Sequence, residues 1–167
     1  MFSIGKDINL DVRLIHRAFV MKSLVVYVSV SHGNTEKVAK VISKELDADL
    51  MEAKTVDPNI LSNYDLIGFG SGIYNRKFHA GLLKLVKEMP SSQSKAFVFS
   101  TSGFGTTNFH DKLKKEVESK GYRMVGDFAC KGWDTWGPFK LVGGINKGRP
   151  DEKDLDMARE FVKVLKV

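Results

Sequence analysis

Seven residues, Ser29, Val30, Ser31, His32, Gly33, Asn34 and Thr35, follow the apolar run LVVYV at 24–28 and lead straight into a helical pattern. Backbone amides that open a helix are orphan donors aided by the helix dipole, which together make an anion site. The hydroxyls of Ser29, Ser31 and Thr35 and the Asn34 amide add donors. The same residues, with Glu36 next in line, also suit an ordinary helix cap. Both readings stay open at this point. The loop lacks the lysine of a Walker phosphate loop and the further glycines of a dinucleotide fingerprint, so neither ATP nor NAD is its natural guest.

Two more stretches have the same make-up: SGIYN, residues Ser71, Gly72, Ile73, Tyr74 and Asn75, and TSGFG, residues Thr101, Ser102, Gly103, Phe104 and Gly105. Glycine permits close backbone approach, and Tyr74 and Phe104 offer flat faces. Each stretch alone reads equally well as a strand-to-helix turn with a half-buried aromatic. His16, His32, His79 and His110 show no metal-ligand spacing with carboxylates or cysteine. His79 and His110 are expected on helix surfaces, whereas His32 adjoins the proposed anion and offers a switchable positive charge. The single cysteine, Cys130, excludes an internal disulfide framework and a multi-cysteine zinc site, and a reducing, cytoplasmic setting is the economical expectation.

These loops need a scaffold that brings them together. Buried-strand patterns at 24–28, 49–53, 65–72, 95–103 and 122–130 alternate with helical ones: Val38, Val41, Ile42 and Leu46; Leu82, Leu83, Val86 and Met89; Leu113 and Val117; and Leu155 through Leu165. Strands alternating with helices predict an α/β doubly wound, five-stranded parallel sheet with helices on both faces, for which the chosen strand order is 2-1-3-4-5. In such sheets ligands sit beyond the carboxyl ends of the strands, where the three polar glycine loops would converge. Together they fit a mononucleotide with a planar ring, flavin mononucleotide (FMN) being the best candidate.

The sequences VVYVSVSHGNTEKVAKVI, DLIGFGSGIYN and KAFVFSTSG resemble the flavodoxin family over essentially residues 22–167. The resemblance implies a flavodoxin-like fold, bound FMN and redox function. It puts the phosphate loop on Ser29 to Thr35 and the two isoalloxazine loops on Ser71 to Asn75 and Thr101 to Gly105. The GSGIYNRKFH stretch is also similar to flavodoxin-type protoporphyrinogen dehydrogenases. Counting back from Gly33, two of the family's hydroxyl positions fall on Val30 and His32, which implies a loop shifted or one residue longer, with Ser29 and Ser31 substituting.

The chain has 167 residues, 43% hydrophobic and 28% charged, enough for one buried core. No stretch reaches the roughly 18 apolar residues of a membrane span. Residues 1–20 lack the apolar core of an export signal and read as a leader or mis-started extension, the alternative being a short amphipathic helix; the domain is expected at 21–167. Of the net charge of +6, the leader's three basic and two acidic residues account for +1, which leaves 23 basic and 18 acidic residues, or +5. Basic residues in KELDADLMEAK and DKLKKEVESK are interleaved with acids, a solvated surface rather than a nucleic-acid stripe. Family carriers are commonly acidic, so partners of opposite charge are implied here: an acidic ferredoxin-like protein or a reductase. Residues 131–150, KGWDTWGPFKLVGGINKGRP, run without periodicity, yet Trp133, Trp136 and Phe139 argue for order. This segment has three readings: a cover for the flavin edge, a subunit contact, or packing over the last helix. An electron carrier between redox proteins is the favoured function. An FMN-dependent oxidoreductase of a quinone or porphyrinogen-type molecule is the alternative, and a flavin-free binding module a third.

Overall fold

The computed structural model describes residues 21–165; the leader reading of residues 1–20 lies outside them. Six strands are formed: β1 (Ser23–Val28), β2 (Asp49–Glu52), β3 (Leu66–Tyr74), β4 (Lys77–Phe78), β5 (Lys95–Ser102) and β6 (Arg123–Lys131). They alternate with four helices: α1 (Asn34–Leu46), α2 (Ala80–Glu88), α3 (Asp111–Ser119) and α4 (Glu152–Leu165). The parallel path is β2-β1-β3-β5-β6, which is the expected order 2-1-3-4-5 once β4 is set aside. The unexpected β4 is a two-residue strand antiparallel to the end of β3, too short to leave a periodic signal. Asn75 and Arg76 turn that hairpin with φ of 49° and 62°, the left-handed pair that a tight two-residue turn requires.

Each central strand is buried on both faces, which explains its unbroken apolar run. Leu24 and Val26 point to one core with Ile67, Phe69 and Val98, which α2 and α3 cover through Leu82, Leu85, Val86, Leu113 and Val117. Val25 and Tyr27 point to the other with Leu66, Phe97 and Phe99, which α1 and α4 cover through Val38, Ile42, Ala158 and Val162. Fully burying one such side chain contributes about 1.5–3 kcal/mol.

Gly68 and Gly70 of β3 lie directly beside Phe97 and Phe99 of β5. A Cβ at Gly68 would sit 2.3 Å from the Phe97 ring, and one at Gly70 would sit 2.1 Å from the Phe99 ring. The glycines of DLIGFGSG therefore make room for two phenyl rings on the α1/α4 face. Because β1, β3, β5 and β6 run parallel, their carboxyl ends deliver four loops to one edge of the sheet.

Candidate functional site

Residues 29–35 turn from β1 into α1 through two consecutive left-handed residues, His32 (φ 56°) and Gly33 (φ 67°). Gly33 is the residue preceding α1, and no side chain caps the helix there. The plain-cap reading of the Ser and Asn side chains is thus not what the fold uses. Asn34 Nδ2 donates to the Trp133 carbonyl at 2.8 Å, and the Thr35 hydroxyl lies 2.8 Å from that of Thr101. Ser29 Oγ and Asn34 Oδ1 are buried with no protein partner. Buried polar atoms are ordinarily hydrogen-bonded, so two such atoms in one loop mark it as made for something else.

An open cleft of about 250 Å³ lies beside this loop. It is lined by Val30, Ser31, Asn34 and Thr35 from the first loop, by Gly72, Ile73 and Tyr74 from the end of β3, and by Thr101 and Ser102 from β5. The three predicted loops are therefore brought together, although not every predicted residue faces the cleft. Ser71 is fully buried; its hydroxyl donates to the Gly72 carbonyl at 2.6 Å and accepts from the His79 amide at 3.0 Å, bracing the β3 end. Asn75 belongs to the hairpin turn. The Gly103 carbonyl accepts from Asn146, Gly105 packs on the Cys130–Lys131 backbone, and Phe104 is 69% exposed outside the cleft.

The remaining wall is Gly132, Trp133, Asp134, Thr135, Trp136 and Lys140, none of them among the site residues expected from the sequence. They belong to the aperiodic segment, which is folded as a closed strap. Its ends meet where the Trp133 amide donates to the Arg149 carbonyl at 2.9 Å, and Asp134 and Ile145 bridge across it. The strap crosses to the first loop, where Trp133 stacks on His32 at 3.9 Å and Thr135 Oγ1 lies 3.0 Å from His32 Nε2. It reaches the third loop through Asn146 Nδ2, which donates to the Gly103 carbonyl at 2.7 Å. Its base is held by the fork of Arg149 on the fully buried Asp154 carboxylate. The density of aromatics in an aperiodic stretch was the available signal for these residues.

Tyr74 folds over Gly72, where a Cβ would approach its hydroxyl to 2.8 Å, and meets His79 edge-on at 5.7 Å. Burial raises its phenol above the ordinary value, opposed by hydrogen bonds from Ser31 and the Val30 backbone. Burial likewise pushes the Cys130 thiol up to about 12, which makes it a packing residue rather than a nucleophile.

The expectation for two histidines needs correction. His79 caps α2, its Nδ1 accepting from the Gly81 amide at 3.0 Å. His110 is fully buried, 2.7 Å from Ser100 Oγ through Nε2 and 3.1 Å from Asp127 Oδ2 through Nδ1. Having partners for both ring nitrogens is what makes that burial tolerable. The trio has the connectivity of a hydrolytic relay, but Ser100 is sealed at 0% exposure and lines no cleft, so it braces the third loop against β6.

The flavodoxin domain family matches residues 24–135. An uncharacterized protein of Methanocaldococcus jannaschii is 48% identical over 145 residues, covering 86% of this chain and 97% of that protein. Among solved structures, a flavodoxin from the domain Archaea superposes with a TM-score of 0.64 at 19% identity, covering 87% of this chain and 97% of its own. Oxidised Flavodoxin 2 from Bacillus cereus gives 0.64 at 19% identity with the same coverage. Rubredoxin oxygen:oxidoreductase from Desulfovibrio gigas gives 0.61 at 14% identity, over 90% of this chain and 37% of that one. With the family match extending over more than half of its length, the chain belongs to the flavodoxin domain family.

Proposed function

We propose that the cleft holds FMN and that the protein transfers electrons between redox partner proteins. The observation that carries this reading is the first loop: an uncapped helix start beside a cleft with aromatic walls, with the unpartnered, buried Asn34 carbonyl on a residue of that wall and the equally unpartnered Ser29 hydroxyl in the same loop. Ser29, Ser31 and Thr35 are the hydroxyl donors for a phosphate there, along with the first amides of α1. Asn34 Oδ1, its amide nitrogen already engaged with Trp133, is left to accept from a ligand hydroxyl. Gly72 and Tyr74 on one side and Thr101 and Ser102 on the other bound the place for a planar ring, and the strap residues Trp133 and Trp136 close the remaining side. Bound FMN would supply one- and two-electron redox chemistry.

The ionisable side chains on the cleft wall are Tyr74, Asp134 and Lys140, and Asp134 Oδ1 is occupied by the Trp136 amide at 2.8 Å. No hydrogen-bonded acid–base pair stands in the cleft among the described residues, which favours a carrier over an enzyme that must move substrate protons. The oxidoreductase reading draws on Trp136 and Lys140, an aromatic and a cation at the cleft wall able to receive a quinone or a porphyrinogen-type anion.

Fluorescence titration with FMN tests the first claim: saturable quenching at one equivalent, with riboflavin binding more weakly, is the expected result. A folded protein that leaves FMN fluorescence unchanged overturns it. Saturable turnover of a soluble quinone, lost in Trp136→Ala, would replace the carrier with an enzyme.

A further inference from the structure

Charge is unevenly placed on this chain. The four loops around the cleft, residues 29–35, 71–79, 101–110 and 131–149, carry Arg76, Lys77, Lys131, Lys140, Lys147 and Arg149 against one acid, Asp134, which is six minus one, or +5. Residues 21–167 hold 23 basic and 18 acidic side chains, also +5, so the rest of that span has 17 of each and is neutral. In that part acids match bases in number, some of them in ion pairs such as Lys40–Glu36, Lys84–Glu88, Arg159–Glu152 and Lys163–Glu160. On the rim, Arg149 is matched by Asp151 and Asp154, whereas the other five cations have no ion pair among the described residues.

Uncovered apolar side chains follow the same distribution. Val30 is 64% exposed, Phe104 69%, Trp136 61%, Leu141 90% and Val142 74%, all on these loops; elsewhere among the described residues only Met157 and Val164 of α4 are comparable. A side chain built at Gly137 or Gly143 would meet nothing within 4 Å, so the 3₁₀ turn between them stands clear of the body.

Excess positive charge and uncovered apolar groups are independent properties, and both fall on the loops at the cleft edge of the sheet. We propose that this rim is a docking face for a protein partner whose surface carries carboxylates around an apolar centre. An apolar middle with a charged surround is the ordinary anatomy of a protein interface, and opposite charge steers its formation. A second copy docking through the same face would set +5 against +5, which disfavours self-association there. The apolar groups sit on three separate loops around the opening, which suits a partner that covers the cleft mouth better than a lipid surface penetrated at one point. The proposal rests on the reading that FMN occupies the cleft and that electrons leave through this face.

An acidic [2Fe–2S] ferredoxin serves as the probe. Electron delivery from the reduced ferredoxin to the FMN-loaded protein, followed by stopped flow, is expected to slow as salt rises. Lys131→Glu should slow it about threefold to tenfold at low salt, because reversing a rim charge acts mainly on association rate. Lys87→Glu on α2, the same change in net charge away from the rim, should leave the rate nearly unchanged. Leu141→Ser should weaken the complex while preserving the salt dependence. In NMR titrations with oxidised ferredoxin, the Leu141 and Val142 methyl signals should shift with or without FMN bound.

Salt-insensitive delivery, or equal slowing by Lys131→Glu and Lys87→Glu, overturns the docking face. So does sedimentation with phosphatidylserine vesicles that depends on Leu141 while ferredoxin leaves the methyl signals unmoved, which would assign the rim to a membrane. Self-association lost in Leu141→Ser would assign it to a second copy and overturn the proposal equally. A protein that takes up no FMN defeats the electron-transfer reading alone, and the methyl shifts on the unloaded protein still decide the face.

Discussion

Thr35 and Thr101 share a buried hydroxyl–hydroxyl contact of 2.8 Å at the junction of the first and third loops. If Thr101 donates, the Thr35 proton is free to point at a phosphate. A hydrogen bond to a charged group contributes about 1.5–3 kcal/mol, so Thr35→Val should weaken FMN binding about tenfold to a hundredfold. Riboflavin, which lacks the phosphate, should be affected far less. Titrations with both ligands check this, and equal losses would mean that the orphaned Thr101 had disturbed the loop instead. At this scale the sequence was legible for residue types and less so for their facing. Ser29, Ser31, Asn34 and Thr35 all belong to one loop, but Asn75 turns a hairpin and Phe104 faces solvent. Their orientations depend on β4 and on the strap, neither of which has a periodic pattern. His110 was misread because the sequence places it at a helix start, while its burial depends on Ser100 and Asp127, 10 and 17 residues away.

The elements carry their own predictions. Burial holds the His110 imidazole below its ordinary value of 6.5, against the opposing influence of Asp127. The unfolded chain therefore takes up this proton more readily than the folded one. The contribution to stability is full above pH 6.5 and is lost as pH falls below that value towards the depressed folded one. Melting temperatures between pH 8 and pH 5 should fall on this account, and His110→Gln should be less stable at pH 8 with a flatter acid limb. An unchanged acid limb would exclude His110 as its source. Between β3 and β5, Gly70→Ala drives a methyl into the Phe99 ring and should cost about 1–3 kcal/mol, the range for overpacking a filled core. Denaturant unfolding measures it, and a loss under about 0.5 kcal/mol would mean that the ring moves aside freely. The central strands β1, β3 and β5 were readable because both faces are buried, which leaves nearly unbroken apolar runs. The strap was not, since its shape comes from backbone bonds such as Trp133 to Arg149 rather than from any apolar stripe.

For the whole molecule, we propose that residues 21–167 are the folding unit. Met21 packs against the α1/α4 core, and the backbone of Lys22 is already tied to Asp65, so β1 is anchored from its first residues. A chain beginning at Met21 should melt within a few degrees of the full-length protein and take up FMN equally; a large loss of melting temperature would assign residues 1–20 a place in the fold. Charge was countable from the sequence but the placement of its excess was not, because the cations that follow β3 and those that follow β6, far apart along the chain, come to the same edge of the sheet. That gathering puts the excess positive charge of residues 21–167 on the edge of the sheet where the cleft opens. On a cation-exchange column it should therefore adhere cleft-first. A phosphate monoester carries about −1.5 to −2 charges near neutral pH, placed at that edge when FMN is bound. Loaded protein should then elute at lower salt than unloaded protein, so the two forms can be separated by their retention alone.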